Sequence, residues 1–212
     1  HFEGPYLNKA HKGAQPEEYC VKPNIEQFKR YQKAAHGLIK YITMAVENDE
    51  DYALTKYCSQ NNVVVSIGHS NATYEQAVQA YAHGARSMTH VYNAMTPFTH
   101  RANGLVGGAL RIRNMYGEII CDGMCKGFPV GTKFDFGGQE VVIYPDGSAH
   151  LVEAGNLAGS TLNVNKGLKI LIEDALVPVN YAINACTSNP ARCLHVDDRK
   201  GTIGVGYDAD LV

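Results

Sequence analysis

The sequence contains no block of like charge and no apolar run of about 18 residues, the length a membrane-spanning helix needs. Its 19 Lys and Arg residues are outnumbered by 21 Asp and Glu residues, which gives a formal net charge of −2. Composition therefore predicts neither a nucleic-acid partner nor a membrane segment. The 212 residues, of which 45% are hydrophobic, are enough to bury a substantial core.

Cysteine pairs are also missing, because none of the six cysteines belongs to a C-x-x-C motif. Their scatter through apolar segments argues against a disulfide framework or a zinc knuckle and favours reduced thiols in a cytoplasmic protein. The first residues contain neither an initiator Met nor a basic region before an apolar stretch. We therefore expect neither a signal peptide nor the natural beginning of the protein.

Helix-like and strand-like patterns alternate along the first 120 residues, which predicts an α/β fold with parallel strands and right-handed crossovers. Beyond that point the pattern changes to antiparallel hairpin material at 134–147, followed by helices. The predicted strands are 38–46, 63–67, 85–89 and 116–121. The predicted helices are 24–35, 50–60, about ten residues from Thr73, 161–175 and 179–186. A loop is predicted at residues 92–108, which include Gly107 and Gly108.

Two histidines, His69 and His90, each follow a short strand-like run, with one helix-like segment between them. That helix is predicted from a capping box at Thr73 and a glycine stop at Gly84. If the two strands are parallel neighbours about 4.8 Å apart, both imidazoles lie at their carboxyl ends and could reach one ion. Taken alone, the pair fits equally well with two structural histidines bonded to the backbone.

Glu3 is the predicted third ligand, because it ends a strand fragment and is followed by Gly4-Pro5, which turns the chain away. One glutamate and two histidines with an open position form a common catalytic zinc set. These residue types also suit iron or manganese, so we expect a divalent ion of open identity, with one or two ions bound.

Three motifs together resemble the N-acetylglucosamine-6-phosphate deacetylase family of the amidohydrolase superfamily. They are His1-Phe2-Glu3-Gly4-Pro5-Tyr6, Ser66-Ile67-Gly68-His69-Ser70-Asn71-Ala72-Thr73 and Thr89-His90-Val91-Tyr92-Asn93-Ala94-Met95. The resemblance implies a (β/α)₈ barrel with a small β-sandwich, and a cytoplasmic, metal-dependent homodimer. It also implies hydrolysis of the acetamide of N-acetylglucosamine 6-phosphate to glucosamine 6-phosphate and acetate.

The same resemblance implies a role for individual residues. Glu3, His69 and His90 match metal ligands, and Arg101 matches a phosphate-binding arginine, whose planar guanidinium suits that group. Some relatives carry His where Gln15 stands. The residues that match substrate-contacting positions are Ala14, Gln15, Asn93, Ala94, Leu157, Ala158 and Gly159.

The domain prediction assigns 1–200 to the barrel portion, with 128–150 as a β-hairpin insertion, and 201–212 to the start of the β-sandwich. The family's catalytic aspartate, which would act as general acid and base, is not found. A segment of roughly 25 to 35 residues is expected to be absent between Gly123 and Met124, since a further βα unit of that size must continue the barrel. Asp122 is not assigned the catalytic role, because its Asp-Gly context matches a substrate-loop turn.

Two alternatives stay open. One is another amidohydrolase, of the dihydroorotase or isoaspartyl dipeptidase kind, which a carboxylated lysine would favour and Glu3 argues against. The other is a catalytically inactive sugar-phosphate-binding relative, which the missing aspartate would suggest. The sequence is also shorter than the ~250 residues of a complete barrel, so we expect a longer protein.

Overall fold

The computed structural model describes residues 1–122, 128–136 and 138–210. The chain divides into two compact units, His1–Ile119 and Ile120–Val212. In the described part of the chain, no helix is both long and apolar enough to cross a membrane.

The first unit is built on a five-stranded parallel sheet whose spatial order, β1-β2-β3-β4-β5, is also the chain order. Its strands are β1 (Phe2–Glu3), β2 (Tyr41–Met44), β3 (Val64–Ile67), β4 (Ala85–Met88) and β5 (Tyr116–Gly117). Its helices are α1 (Ile25–Ala34), α2 (Ala53–Gln60), α3 (Tyr74–Ala82) and α4 (Gly104–Arg111). Sequential parallel strands separated by helices are the pattern of a (β/α) barrel.

The central strands are buried on both faces, as the continuous apolar runs predict for a parallel sheet. The predicted βαβ unit around the two histidines is confirmed. Its helix α3 begins at Thr73, where the capping box with Gln76 is formed in both directions. β3 and β4 pair in parallel, with a register shift between Val65 and Ser66.

The predicted loop at residues 92–108 is wrong at its end, because α4 begins at Gly104. Gly107 and Gly108 suggested a loop, but Gly108 lets the helix approach the sheet closely. A Cβ added at Gly108 would lie 2.9 Å from Met88 Cε and 3.6 Å from Ala77 Cβ. Tertiary packing therefore overrides the low helix propensity of glycine here.

The second unit contains the antiparallel sheet β6-β7-β8 and three helices. Its elements are β6 (Lys133–Phe136), β7 (Gln139–Ile143), β8 (Ala149–Leu151), α5 (Val164–Glu173), α6 (Val179–Cys186) and α7 (Ser188–Cys193). β6 and β7 form the predicted hairpin, and both predicted helices are present. Residues 201–210 contain turns and no strand, contrary to the β character expected there. The assignment of 201–212 to a sandwich stays a prediction.

Candidate metal centre

Glu3, His69 and His90 converge at the carboxyl-terminal edge of the parallel sheet. Glu3 ends β1, His69 lies two residues after β3, and His90 lies two residues after β4. Both histidines have positive φ angles, 48° and 33°, in a region that L-residues rarely adopt. The strand ends therefore deliver the side chains, and the unusual backbone turns both imidazoles toward Glu3.

The three side chains meet through single atoms. Glu3 Oε1 lies 2.8 Å from His69 Nε2 and 3.3 Å from His90 Nε2, and the two Nε2 atoms are 3.1 Å apart. Ligand atoms around a tetrahedral zinc ion, at ~2.1 Å from it, lie about 3.4 Å from one another. We call Glu3, His69 and His90 the candidate metal triad. Small outward movements of their side chains would therefore let them surround a cation.

The protonation of His69 points to a cation as well. Its Nδ1 lies 2.7 Å from the carbonyl oxygen of His11, which can only accept, so Nδ1 carries the proton. In the neutral imidazole, Nε2 then presents a lone pair to the Glu3 carboxylate, which is also an acceptor. A positive charge between them resolves this conflict, and a backbone-bonded Nδ1–H is the usual arrangement of a metal-ligating histidine.

The electrostatics of the triad agree. The close contact with His69, and after it the contact with His90, lowers the pKa of the Glu3 carboxyl from 4.5 to about 2, against an opposing effect of burial. Burial lowers the pKa of His90, but the hydrogen bond to Glu3 and its charge outweigh burial, so the pKa is raised. His90 Nδ1 is buried without a hydrogen-bond partner among the described residues. Both shifts arise because the Glu3 carboxylate lies against the imidazoles.

Hydroxyl groups line the sheet next to the triad, and no sequence motif predicts this network. Thr89 Oγ1 lies 2.8 Å from Thr43 Oγ1 and 2.7 Å from Ser66 Oγ. Ser66 in turn donates to Glu118, 3.2 Å away, and the Tyr41 hydroxyl donates to the same carboxylate oxygen. Only the strand register could reveal these contacts, because the residues are far apart in the sequence.

The predicted substrate loop at Ala14 and Gln15 lies beside the triad. A Cβ added at Gly13 would lie 3.3 Å from His69 Cε1, so this loop packs against the imidazole ring. Gln15 and Glu3 both line a cavity of 430 Å³. The structure therefore brings Gln15 to the same cavity as Glu3 of the triad.

The loop after β4 carries three more predicted substrate residues. Asn93 is exposed, and its Nδ2 donates to the carbonyl oxygen of His90 at 3.1 Å. The Ala94 carbonyl oxygen accepts from the Ser70 N–H at 3.1 Å, which ties this loop to the one after β3. Arg101 is exposed in the turn before α4, and its Nε donates to His100 Nε2 at 3.0 Å.

The remaining predicted site residues belong to the second unit. Leu157 is exposed, and Ala158 is buried with its N–H donating to Ala149 at 2.8 Å. Gly159 has a φ of 106°, and a Cβ added there would meet open space. Asp122 accepts a hydrogen bond from Ser160 Oγ at 2.9 Å. The expected gap between Gly123 and Met124 lies outside the described residues.

Known proteins resemble this chain over nearly its whole length. The Amidohydrolase family model matches residues 122–212. A curated N-acetylglucosamine-6-phosphate deacetylase of Bacillus subtilis (strain 168) is 35% identical over 239 aligned residues, which cover 100% of this chain and 60% of that protein. The chain is therefore similar to the amidohydrolase family. The same enzyme of Lysinibacillus sphaericus is also 35% identical and is covered to 61%.

The solved amidohydrolase structures share the fold. The crystal structure of N-acetylglucosamine-6-phosphate deacetylase from Pasteurella multocida matches 99% of this chain with a TM-score of 0.84 at 30% identity. The predicted (β/α)₈-type fold is thereby confirmed. This chain covers 61% of that structure and about 60% of the curated relatives' length. The Bacillus alignment spans 239 positions against 212 residues here, so some aligned positions have no counterpart in this chain.

Proposed function

We propose that this chain carries the metal-binding part of an amidohydrolase that removes the acetyl group from N-acetylglucosamine 6-phosphate. One observation carries the proposal: Glu3, His69 and His90 direct single ligand atoms to one point, and His69 Nδ1 is committed to a backbone carbonyl. The relatives' names supply the substrate, because each of those reported is a deacetylase of this sugar phosphate.

The donor set suits zinc, iron or manganese, bound by Glu3 Oε1 and the two Nε2 atoms. A bound divalent ion supplies Lewis acidity, which polarises an amide carbonyl and makes water a better nucleophile at neutral pH. The chain's own residues then fix the geometry. Glu3 supplies the negative charge of the site, and His11 holds the His69 ring through its carbonyl oxygen.

Substrate positioning is assigned to the loops that surround the triad. Arg101 would bind the phosphate through its planar guanidinium, with Asn93 and Ala94 beside it on the same loop. Ala14 and Gln15 would contact the sugar from the loop after β1. Leu157, Ala158 and Gly159 are proposed as substrate residues from the sequence resemblance alone. A general acid is still needed for the departing amine, and we assign it to an aspartate of the segment expected between Gly123 and Met124.

The test of the proposal compares His69→Ala with His83→Ala. His83 ends α3, and its Nδ1 bonds to the carbonyl oxygen of Gln79, 2.8 Å away. Metal content and acetate release from N-acetylglucosamine 6-phosphate are measured on the full-length protein and both variants. We expect His69→Ala to lose the metal and the release of acetate, and His83→Ala to keep the metal and the release of acetate.

Two other results would each favour one of the alternative functions. Metal binding without acetate release, in a protein that still binds the sugar phosphate, would favour the inactive relative. Hydrolysis of a cyclic amide or a dipeptide in place of the sugar would favour another amidohydrolase. A cytoplasmic location and a homodimer are part of the same proposal, and cell fractionation and light scattering test them.

A further inference from the structure

Glu47 joins three loops at the edge of the sheet where the metal triad lies. It belongs to the 3-10 turn Val46–Asn48, which follows β2. Its carboxylate accepts from Ser70 Oγ at 2.5 Å, from the Asn71 N–H at 2.6 Å and from Asn8 Nδ2 at 2.9 Å. Ser70 and Asn71 follow β3, and Asn8 follows β1.

The residues that make these three contacts lie next to His69, either in the chain or through a hydrogen bond. Ser70 is its direct neighbour, and the Asn8 N–H donates to the carbonyl oxygen of His69 at 2.9 Å. The backbone of His69 has a φ of 48°, in the left-handed region that is unfavourable for a residue with a Cβ. Such a conformation persists only where its surroundings hold it. Glu47 bonds to Ser70 and Asn71, which follow His69 in the chain. It also bonds to Asn8, whose N–H donates to the carbonyl oxygen of His69.

Glu47 also acts on the imidazole ring through Asn8. The Asn8 side chain receives the Ala10 N–H at 2.9 Å and so caps the short 3-10 helix Lys9–His11. The last residue of that helix, His11, offers the carbonyl oxygen that binds His69 Nδ1. A carboxylate that fixes Asn8 therefore fixes the acceptor that orients the ring.

We propose that Glu47 is a positioning residue that sets the orientation of His69 toward a metal ion. The inference rests on the proposed function, since it takes the Glu3, His69 and His90 triad as the metal site. Hydrogen bonds to a carboxylate are stronger than those between neutral groups, and Glu47 forms three of them without an ion pair among the described residues. All three of these hydrogen bonds are therefore made to the loops that hold His69.

Asp49, two residues further on, is a matched control. It is buried, and its carboxylate also accepts three hydrogen bonds: from the Leu54 N–H at 3.0 Å, the Thr55 N–H at 2.8 Å and Thr55 Oγ1 at 2.7 Å. All three lie at the start of α2. Loss of Asp49 therefore destabilises the same unit without releasing the loops around His69.

The experiment measures zinc affinity of the metal-stripped full-length protein by competition with a chromophoric chelator. We expect Glu47→Ala to weaken zinc binding about 10- to 100-fold, the range found for groups that orient metal ligands. Glu47→Gln, which keeps one acceptor oxygen, should fall between Glu47→Ala and wild type. Asp49→Ala should bind zinc as wild type does, although its melting temperature falls.

Ser70→Ala keeps the inference testable if Glu47→Ala does not fold. It removes one of the three contacts, so we expect a smaller loss of zinc affinity that is not additive with Glu47→Gln. Wild-type affinity in the Glu47 variants, or an equal loss in Asp49→Ala, would overturn the inference alone. Failure of wild type itself to bind zinc would overturn the proposed function.

Discussion

At the scale of single residues, Arg101 is the residue that we propose binds the phosphate of the substrate. It is exposed in the turn before α4, so its guanidinium can reach a ligand without rearrangement of the core. We expect Arg101→Ala to raise KM for N-acetylglucosamine 6-phosphate and to leave kcat largely unchanged, because the phosphate is bound equally in the ground and transition states. Steady-state kinetics with phosphorylated and unphosphorylated sugar measure this difference.

Arg111 supplies the control for Arg101. Arg111 is the last residue of α4, the helix that follows Arg101. Its guanidinium lies over the Tyr74 ring, 5.3 Å from the ring centroid. Arg111→Ala should lower stability slightly and keep KM. If Arg101→Ala altered both sugars equally, the phosphate assignment would be wrong.

Glu3 and His90 should make the stability of the metal-free protein depend on pH. The pKa of Glu3 is lowered from 4.5 to about 2, so its stabilisation is present above pH 4.5 and lost as the pH falls toward 2. The pKa of His90 is raised from 6.5, so its stabilisation is present below pH 6.5 and lost as the pH rises through the raised value. The two effects coincide between pH 4.5 and 6.5.

Thermal unfolding of chelator-treated wild type and Glu3→Gln measures this pH effect. The advantage of wild type should be largest near about pH 5.5 and should shrink in both directions. An advantage that grows steadily up to about pH 9 would contradict the proposed pairing of Glu3 with His90.

At the scale of elements, Gly68 determines how closely β3 approaches its two neighbours. A Cβ at this position would lie 2.7 Å from Thr89 Cβ and 2.8 Å from Thr43 Cγ2. Both threonines are stiff at χ1, and their hydroxyls bond to each other, so neither can rotate away freely. We expect Gly68→Ala to lower the free energy of unfolding by about 1–3 kcal/mol, as overpacking does.

Urea unfolding measures this loss, with Gly117→Ala in β5 as the matched control. A Cβ at Gly117 would meet only Val91 Cγ2, at 3.4 Å, which is an ordinary contact. The control should therefore unfold close to wild type. Equal midpoints for the two variants would show that the sheet has room at Gly68.

The same elements show what the sequence could and could not predict. Alternation of apolar runs placed His69 and His90 at neighbouring strand ends, because parallel strands align their carboxyl termini. The start of α4 was missed, because Gly108, which suggests a loop locally, here allows the helix to pack against Met88. The contacts of Glu47 could not be predicted either, since they join loops that follow three different strands.

At the scale of the whole molecule, the proposed metal site and the proposed proton-transfer group come from different parts of the sequence. The triad lies within the first unit, whereas we propose that the catalytic aspartate lies in a segment expected between Gly123 and Met124. The Bacillus relative aligns over 239 positions, which supports a missing internal stretch without locating it. We therefore predict that the natural protein contains an additional βα unit between Gly123 and Met124.

Intact mass and peptide mapping of the protein from its source decide this last prediction. We expect a mass above 23.1 kDa and a peptide with an aspartate that joins the Cys121-Asp122-Gly123 segment to Met124. Asn in place of that aspartate should abolish acetate release and preserve zinc binding, because it removes a proton-transfer group and leaves the triad intact. A mass of 23.1 kDa together with full deacetylase activity would refute the prediction. Proton transfer would then fall to a residue already in this chain, and Asp122, beside the junction, would be the first to replace.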